Sequence, residues 1–319
     1  MLFNYFLLWI IDRYSVFLGV ENRYMMKKAF LFISALLALA ACKNGSVVQT
    51  EVREYADSTS HAFLKMHAEL PVPSDAVSSA IRSSLIDVMD GQLSQVSYGE
   101  PQRYFPRFDG DAGDTDALLS YYEQQTMKQI AQLSQEDADE REFLMRENDE
   151  LTAEEREEML AGFPSWEYDF NLRKVADTLN YVVFLSENYV YMGGAHGGVT
   201  GGGYLTYDKK SGSLVEKMLD PACVTDIQPV LVRGLMRYYS EVGAEMPEEE
   251  MLEHLQVEGG IIPLPAWTPY PTKEGLVFVY QQYEIASYAD GMPSFTVPYA
   301  EIKPWLTAEA KSVLSSYRF

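Results

Sequence analysis

The segment Gly193-Gly194-Ala195-His196-Gly197-Gly198-Val199-Thr200-Gly201-Gly202-Gly203 concentrates glycine around one histidine. Backbone N–H groups approach a developing negative charge closely only where side chains are missing, so a His-Gly-Gly loop could line an oxyanion hole. That chemistry needs a nucleophile, and no Gly-x-Ser-x-Gly elbow occurs in the sequence. A phosphate cradle would require Gly-Lys-Ser or Gly-Lys-Thr after the glycines, and neither follows. Two readings stay open. In one, the strands need positive φ and close backbone approach here, with His196 hydrogen-bonded locally. In the other, Gly193, Gly194, Ala195, His196, Gly197 and Gly198 form a ligand-contacting loop.

Metal chemistry has little to stand on. The four histidines are His61, His67, His196 and His254, and no two stand at i, i+4 with a glutamate between them. Asp109-Gly110-Asp111-Ala112-Gly113-Asp114-Thr115-Asp116 resembles a calcium loop superficially. Gly113 stands where an EF-hand wants an oxygen ligand, Asp114 where it wants glycine, and Ser120 where it wants the bidentate glutamate. The loop is better read as acidic, with Asp114 or Thr115 capping the next helix. No metal and no cofactor is expected.

The chain carries 25 Lys and Arg against 47 Asp and Glu, a formal charge of −22, with 47% hydrophobic residues. It folds around a substantial core. Such an acidic balance argues against nucleic acid as a partner, because that binding is driven by basic residues displacing counterions from phosphates.

Met25, Met26, Lys27 and Lys28 precede an apolar run from Ala29 to Ala41, too short to span a bilayer, ending in Leu39-Ala40-Ala41-Cys42. The order of basic segment, apolar run, small residues and cysteine predicts a lipoprotein signal peptide over 25–41 that places lipid on Cys42. Residues 1–24 are interrupted by Asp12 and Arg13 and are expected to lie upstream of the true start. Lys43-Asn44-Gly45 lack the aspartate that favours inner-membrane retention, so the expected location is the periplasmic face of the outer membrane. Cys223 is then a lone thiol between apolar residues and is expected to be buried.

Residues 42–52 read as a tether. Val77, Ile81, Leu85, Val88 and Met89 predict a helix over 74–93 capped by Ser74, and a second helix spans 117–133. Residues 136–158 hold twelve acids and three arginines, read as a solvated helical arm, with Thr152 and Glu155 forming a capping box. Strands follow from Trp166, from Tyr181 to Leu185, from Tyr189 to Met192 and from Tyr204 to Tyr207. A helix is predicted over 225–242, then a hairpin of 276–286 and 295–299 around Asp290-Gly291, then helical turns over 302–317. The pattern predicts an α+β fold with a largely antiparallel sheet packed with helices.

The second half resembles the RsiV-like extracytoplasmic domain of lysozyme-sensing anti-sigma factors, found also beside a PdaC-type N-terminal region. The likeness rests on Tyr191-Met192-Gly193-Gly194-Ala195-His196, Tyr207-Asp208, Gly212, the run Tyr283 to Gly291, and Phe295, Val297, Pro298 and Tyr299. Ser287 stands where that family usually has proline. The likeness implies an RsiV-like domain over 181–319, with residues 53–180 as an N-terminal helical and strand region similar to PdaC only in texture. It further implies a domain without catalytic activity and a lysozyme-like, cationic wall hydrolase as one partner.

The expectation is a lipid-anchored, non-catalytic binding module of the cell envelope. Its ligand would be a cell-wall glycan (peptidoglycan) or a lysozyme-like protein, met by the glycine-rich loop and an aromatic surface containing Tyr191 and Tyr288. The alternative is an enzyme acting on cell-wall polymers, a hydrolase or deacetylase, which would need paired carboxylates or a metal.

Overall fold

A computed structural model describes residues 47–95, 102–148, 151–194 and 197–317. The signal segment, Cys42, Ala195 and His196 lie outside the described residues. The fold is α+β.

Five strands form one sheet in sequence order: β1 (Thr50–Ser58), β2 (Ala62–Pro71), β3 (Trp166–Asp177), β4 (Tyr181–Tyr191) and β5 (Gly198–Asp208). All pairs are antiparallel except β2 and β3. That pair is parallel because the long connection between them carries α1 (Ala76–Leu93), α2 (Thr115–Glu147) and α3 (Ala153–Ala161) across one face. Strand β2 shows why that face is the core: Ala62, Leu64, Met66, Ala68 and Leu70 are buried, while Phe63 and Lys65, alternating with them, are exposed. Ile81, Leu85 and Met89 of α1 and Leu119 and Tyr122 of α2 pack on them. Each such fully buried aliphatic side chain contributes about 1.5–3 kcal/mol.

Within the residues 42–52 read as a tether, Val48 is buried and β1 begins at Thr50. Asp75, not Ser74, caps α1. Its carboxylate accepts the Ser78 N–H at 2.7 Å and Ser78 reaches back to Asp75. Asp114 caps α2 by accepting from Ala117. This helix runs 33 residues, well past 133. The acidic run sustains it through i, i+4 pairs, Gln132 to Glu136 at 2.9 Å, Gln135 to Asp139 at 2.8 Å and Arg146 to Glu142, with no glycine or proline to stop it. Thr152 and Glu155 form the capping box of α3.

The chain after β5 packs on the opposite face. It contributes α4 (Gln228–Glu241), α5 (Glu248–His254), and a small antiparallel sheet of β6 (Tyr270–Pro271), β7 (Gly275–Val279) and β8 (Ser294–Pro298). Two short helices follow, α6 (Tyr299–Ile302) and α7 (Ala308–Val313). Tyr181 and Val183 of β4 join this second core, whereas Val182 and Phe184 point to the helices. Burial on both faces explains why residues 181–185 form an unbroken apolar run. The 178–181 turn joins β3 and β4 within one sheet, so residues 53–180 and 181–319 share it. Cys223 is buried. The strand expected over 276–286 stops at Val279. Beyond it the Glu284 carboxylate accepts the N–H groups of Gln281 (2.8 Å) and Ala266 (2.6 Å) and folds the chain into a turn.

Candidate functional site

Past Leu185 the strand alternates: Ser186, Asn188 and Val190 face the helices and are buried, while Glu187, Tyr189 and Tyr191 on the other face are partly exposed. The register sets Tyr189 opposite Asp169 and Tyr191 opposite Glu167. Asn171 donates to Glu187 at 3.0 Å and Lys65 approaches Asp169 at 3.8 Å. Burial raises the Asp169 pKa, and Lys65 and His67 partly offset it.

The turn after Tyr191 is built on left-handed glycines, Gly193 at φ 86° and Gly194 at φ 102°. The Tyr191 hydroxyl donates to the Gly194 carbonyl at 3.0 Å. Gly193 also leaves room for Arg141, whose guanidinium would lie 2.9 Å from a Cβ there. Arg141 donates to the Met192 carbonyl at 3.4 Å, pairs with Asp137 at 2.9 Å and stacks 4.4 Å above the Phe163 ring. Asp137 in turn accepts from Trp166 Nε1 at 3.1 Å. The acidic arm therefore reaches the turn. At Gly197 any side chain would collide with the Tyr189 ring, so the glycine lets that ring lie across the start of β5.

The glycines further on do different work. Gly201, Gly202 and Gly203 all have positive φ inside β5, where the register with β4 slips between Ser186 and Asn188. The Gln92 side chain of α1 fills the space: Ser186 donates to Gln92 Oε1 at 2.5 Å, Gln92 donates to Asn188 at 3.4 Å and Tyr168 donates to the Gln92 carbonyl at 3.0 Å. Trp267 lies against Gly203 and Tyr270 stacks on Tyr204 at 3.8 Å, so these two aromatics serve packing. The described glycines of positive φ thus fall into two groups, Gly193 and Gly194 in the turn after Tyr191, and Gly201, Gly202 and Gly203 in the bulge of β5.

Tyr288 sits in the 280–293 loop, beside Tyr283 at 5.8 Å between ring centroids. The Tyr189 pKa is raised, first by burial and then by the neighbouring Tyr288, so Tyr288 borders the face that carries Tyr191. Tyr283 was not foreseen. It is 59% exposed and, at φ 64°, the one described non-glycine residue in the left-handed region, a conformation that costs about 1–3 kcal/mol. Nor was the clamp beside it: Asp290 accepts from Ser287 at 2.5 Å and meets His254 Nε2 at 2.6 Å, and Tyr238 donates to the Asp290 carbonyl at 2.6 Å. Here Asp290 stands between the serine and the histidine. Ser287 donates a hydrogen bond to the carboxylate, and the trio fastens the loop.

Among the described residues no group of three or more His, Cys, Asp or Glu is placed to hold a metal. The 109–116 loop instead caps α2, with Asp111 accepting from Gly113 at 2.8 Å. Among the same residues no helix is long and apolar enough to cross a membrane.

Residues 264–300, which hold β6, β7, β8 and the Tyr283–Tyr288 loop, match a family model. It is DUF3298, a protein family of unknown function. A crystal structure of a DUF3298 family member from Bacteroides fragilis is similar over 86% of this chain and 100% of its own, at TM-score 0.57 and 17% identity. One from Pseudomonas aeruginosa is similar over 82% and 94%, at TM-score 0.48 and 12% identity. The first likeness is one of fold. No curated protein matches the sequence.

Proposed function

We propose that the chain is a lipid-anchored envelope protein, held through Cys42 at the periplasmic face of the outer membrane, that binds a ligand without transforming it. What carries this reading is the placement of two features at opposite ends of β4. Val48, near the start of the described residues, lies next to the 178–181 turn, where its N–H donates to Asp177 at 2.8 Å and its carbonyl accepts from Lys174 at 2.7 Å. The Tyr189 and Tyr191 face and the glycine turn lie at the other end of the strand. Ten residue steps of extended chain separate these ends by about 33 Å. A tether leaving Val48 toward Cys42 therefore presents the aromatic face away from the membrane.

The resemblance to RsiV-like domains adds the two ligand classes, a cell-wall glycan or a lysozyme-like cationic protein. Fractionation with mass spectrometry should find a diacylglyceryl-cysteine peptide beginning at Cys42 in the membrane fraction, and Cys42→Ala should remove it. The purified chain should sediment with insoluble peptidoglycan or bind a lysozyme saturably near 0.15 M salt, where exposed charges are screened beyond about 8 Å. Failure of both binding assays would defeat the reading. Turnover of a wall polymer that vanishes in Asp169→Asn, at the carboxyl group raised by burial, would replace it with the enzymatic one.

A further inference from the structure

Exposed apolar side chains gather at one edge of the five-stranded sheet. The starts of β1 and β4 and the ends of β2, β3 and β5 all meet that edge, because β2 and β3 run parallel and every other pair antiparallel. Just beyond it Val47 and Leu179 are 56% and 55% exposed, and Val72 is exposed as well. Their stretches of chain are tied together. The Gln49 carbonyl accepts the Val72 N–H at 2.8 Å, and the Val48 N–H reaches Asp177, two residues before Leu179. A single exposed apolar side chain is ordinary, but three along one edge point to something apolar that meets it.

Charge decides what that is. The segments beyond the strand ends, 47–49, 72–75, 178–180 and 209–213, hold Asp75, Lys209 and Lys210 as their charged residues, in a chain of 25 basic and 47 acidic ones. Asp75 is occupied as the cap of α1 and Lys209 by Asp177, while Asp208 accepts the Lys210 N–H at 2.8 Å and the Lys210 side chain is exposed. Phe143 and Leu144 are also exposed, but they lie in the arm of twelve acids, which an anionic surface repels. The edge loops also bond their own backbone. Thr178 donates to the Tyr181 carbonyl at 2.8 Å, Lys209 to the Asn180 carbonyl at 2.9 Å and Ser74 to the Val72 carbonyl at 2.8 Å. Groups already bonded lose little when water is removed from around them. Cys42 stands five residues before Val47, a stretch that reaches at most about 18 Å. Lipid on Cys42 would therefore hold this edge, and no other, close to a bilayer.

We propose that Val47, Val72 and Leu179 form a lipid-contacting edge that seats shallowly in an anionic phospholipid surface, with Lys210 at the level of the headgroups. It rests on the anchoring reading and goes beyond it by fixing how the fold stands on the membrane. The test uses the full lipidated chain in vesicles of equal parts phosphatidylethanolamine and phosphatidylglycerol, with a fluorescence quencher on some acyl chains. A dye is attached through Ser211→Cys at this edge or through Ser60→Cys in the β1–β2 turn at the opposite edge, Cys223 being buried. Quenching at Ser211→Cys should exceed that at Ser60→Cys by at least about threefold. Adding Val47→Ser and Leu179→Ser should bring it down to the Ser60→Cys level without moving the melting temperature, since both side chains are exposed. Equal quenching at the two positions, or quenching that the serine substitutions leave unchanged, overturns the edge and spares the anchor. A chain whose mass shows no lipid on Cys42 overturns the anchor and the edge together.

Discussion

The two ends of β4 solve opposite problems. At the Tyr181 end a buried ion pair closes on the protein: Lys209, 7% exposed, donates to Asp177 and to the Thr178 carbonyl, both at 2.6 Å, and Asp177 also holds Val48. The Tyr181 and Tyr317 hydroxyls meet at 2.9 Å. At the Tyr191 end alternate residues are only partly buried, the turn is glycine, and one arginine from the arm grips it. A single strand thus shows that closure of polar groups follows coverage. Where both faces are packed, charges must be paired internally, and where one face is only partly covered, polar side chains also reach water.

The covered end should be the more fragile to substitution. Asp177→Ala leaves the Lys209 ammonium buried without its partner, and removing one member of a buried pair costs about 3–5 kcal/mol. Urea denaturation measures it. A loss below about 1 kcal/mol would mean that water already reaches Lys209 and that the contrast between the ends is false.

Glycines give a second contrast, within the Tyr191 half of the strand, between a position crowded by backbone and one facing open space. An alanine Cβ at Gly202, φ 61°, would overlap the Ser186 carbonyl, which is backbone and cannot move aside. Gly202→Ala should cost about 2–3 kcal/mol, from overpacking added to strain. At Gly194, φ 102°, a Cβ meets nothing within 4 Å, and Gly194→Ala should cost only the backbone strain, about 1 kcal/mol. Equal losses in thermal melts would show that the bulge is not packed as described.

How much of this is legible from residue types depends on the range of the interaction. The Thr152–Glu155 box is written within four residues, and the two-faced burial of 181–185 in an unbroken apolar run. Strand β1 is harder to read, because an edge strand with Glu51, Arg53 and Glu54 has no apolar face to announce it. The acidic run was legible as a helical arm, but nothing in its residues shows that it continues the helix of 117–133 without a break, as α2 does. Tyr191 and Tyr288 could be picked out as aromatics flanking turns. The conformation of Tyr283 could not, since it is imposed by Glu284 reaching the Ala266 N–H, eighteen residues back. The glycines at 201–203 look like loop residues until Gln92 of α1 is brought against them.

The smallest expected effect tests the clamp behind the tyrosine pair. Burial would raise the Asp290 pKa, but hydrogen bonds from Ser287 and His254 outweigh it and hold the carboxyl, 9% exposed, below its ordinary value. A carboxyl lowered in the folded state contributes stability that is complete above its unfolded pKa, about 3.9, and is lost as pH falls through the folded value. Asp290→Asn keeps the shape and removes the charge, so near pH 7 it should be less stable than wild type by about 0.5–1 kcal/mol. The difference should hold down to about pH 5 and shrink below about pH 4, as the wild-type carboxylate takes up its proton. Denaturant titrations of both proteins at pH 7, 5 and 3.5 decide it. A gap that stays constant or widens on acidification would mean that the Asp290 charge does not fasten the loop, and the ordered presentation of Tyr283 and Tyr288 would then need another support.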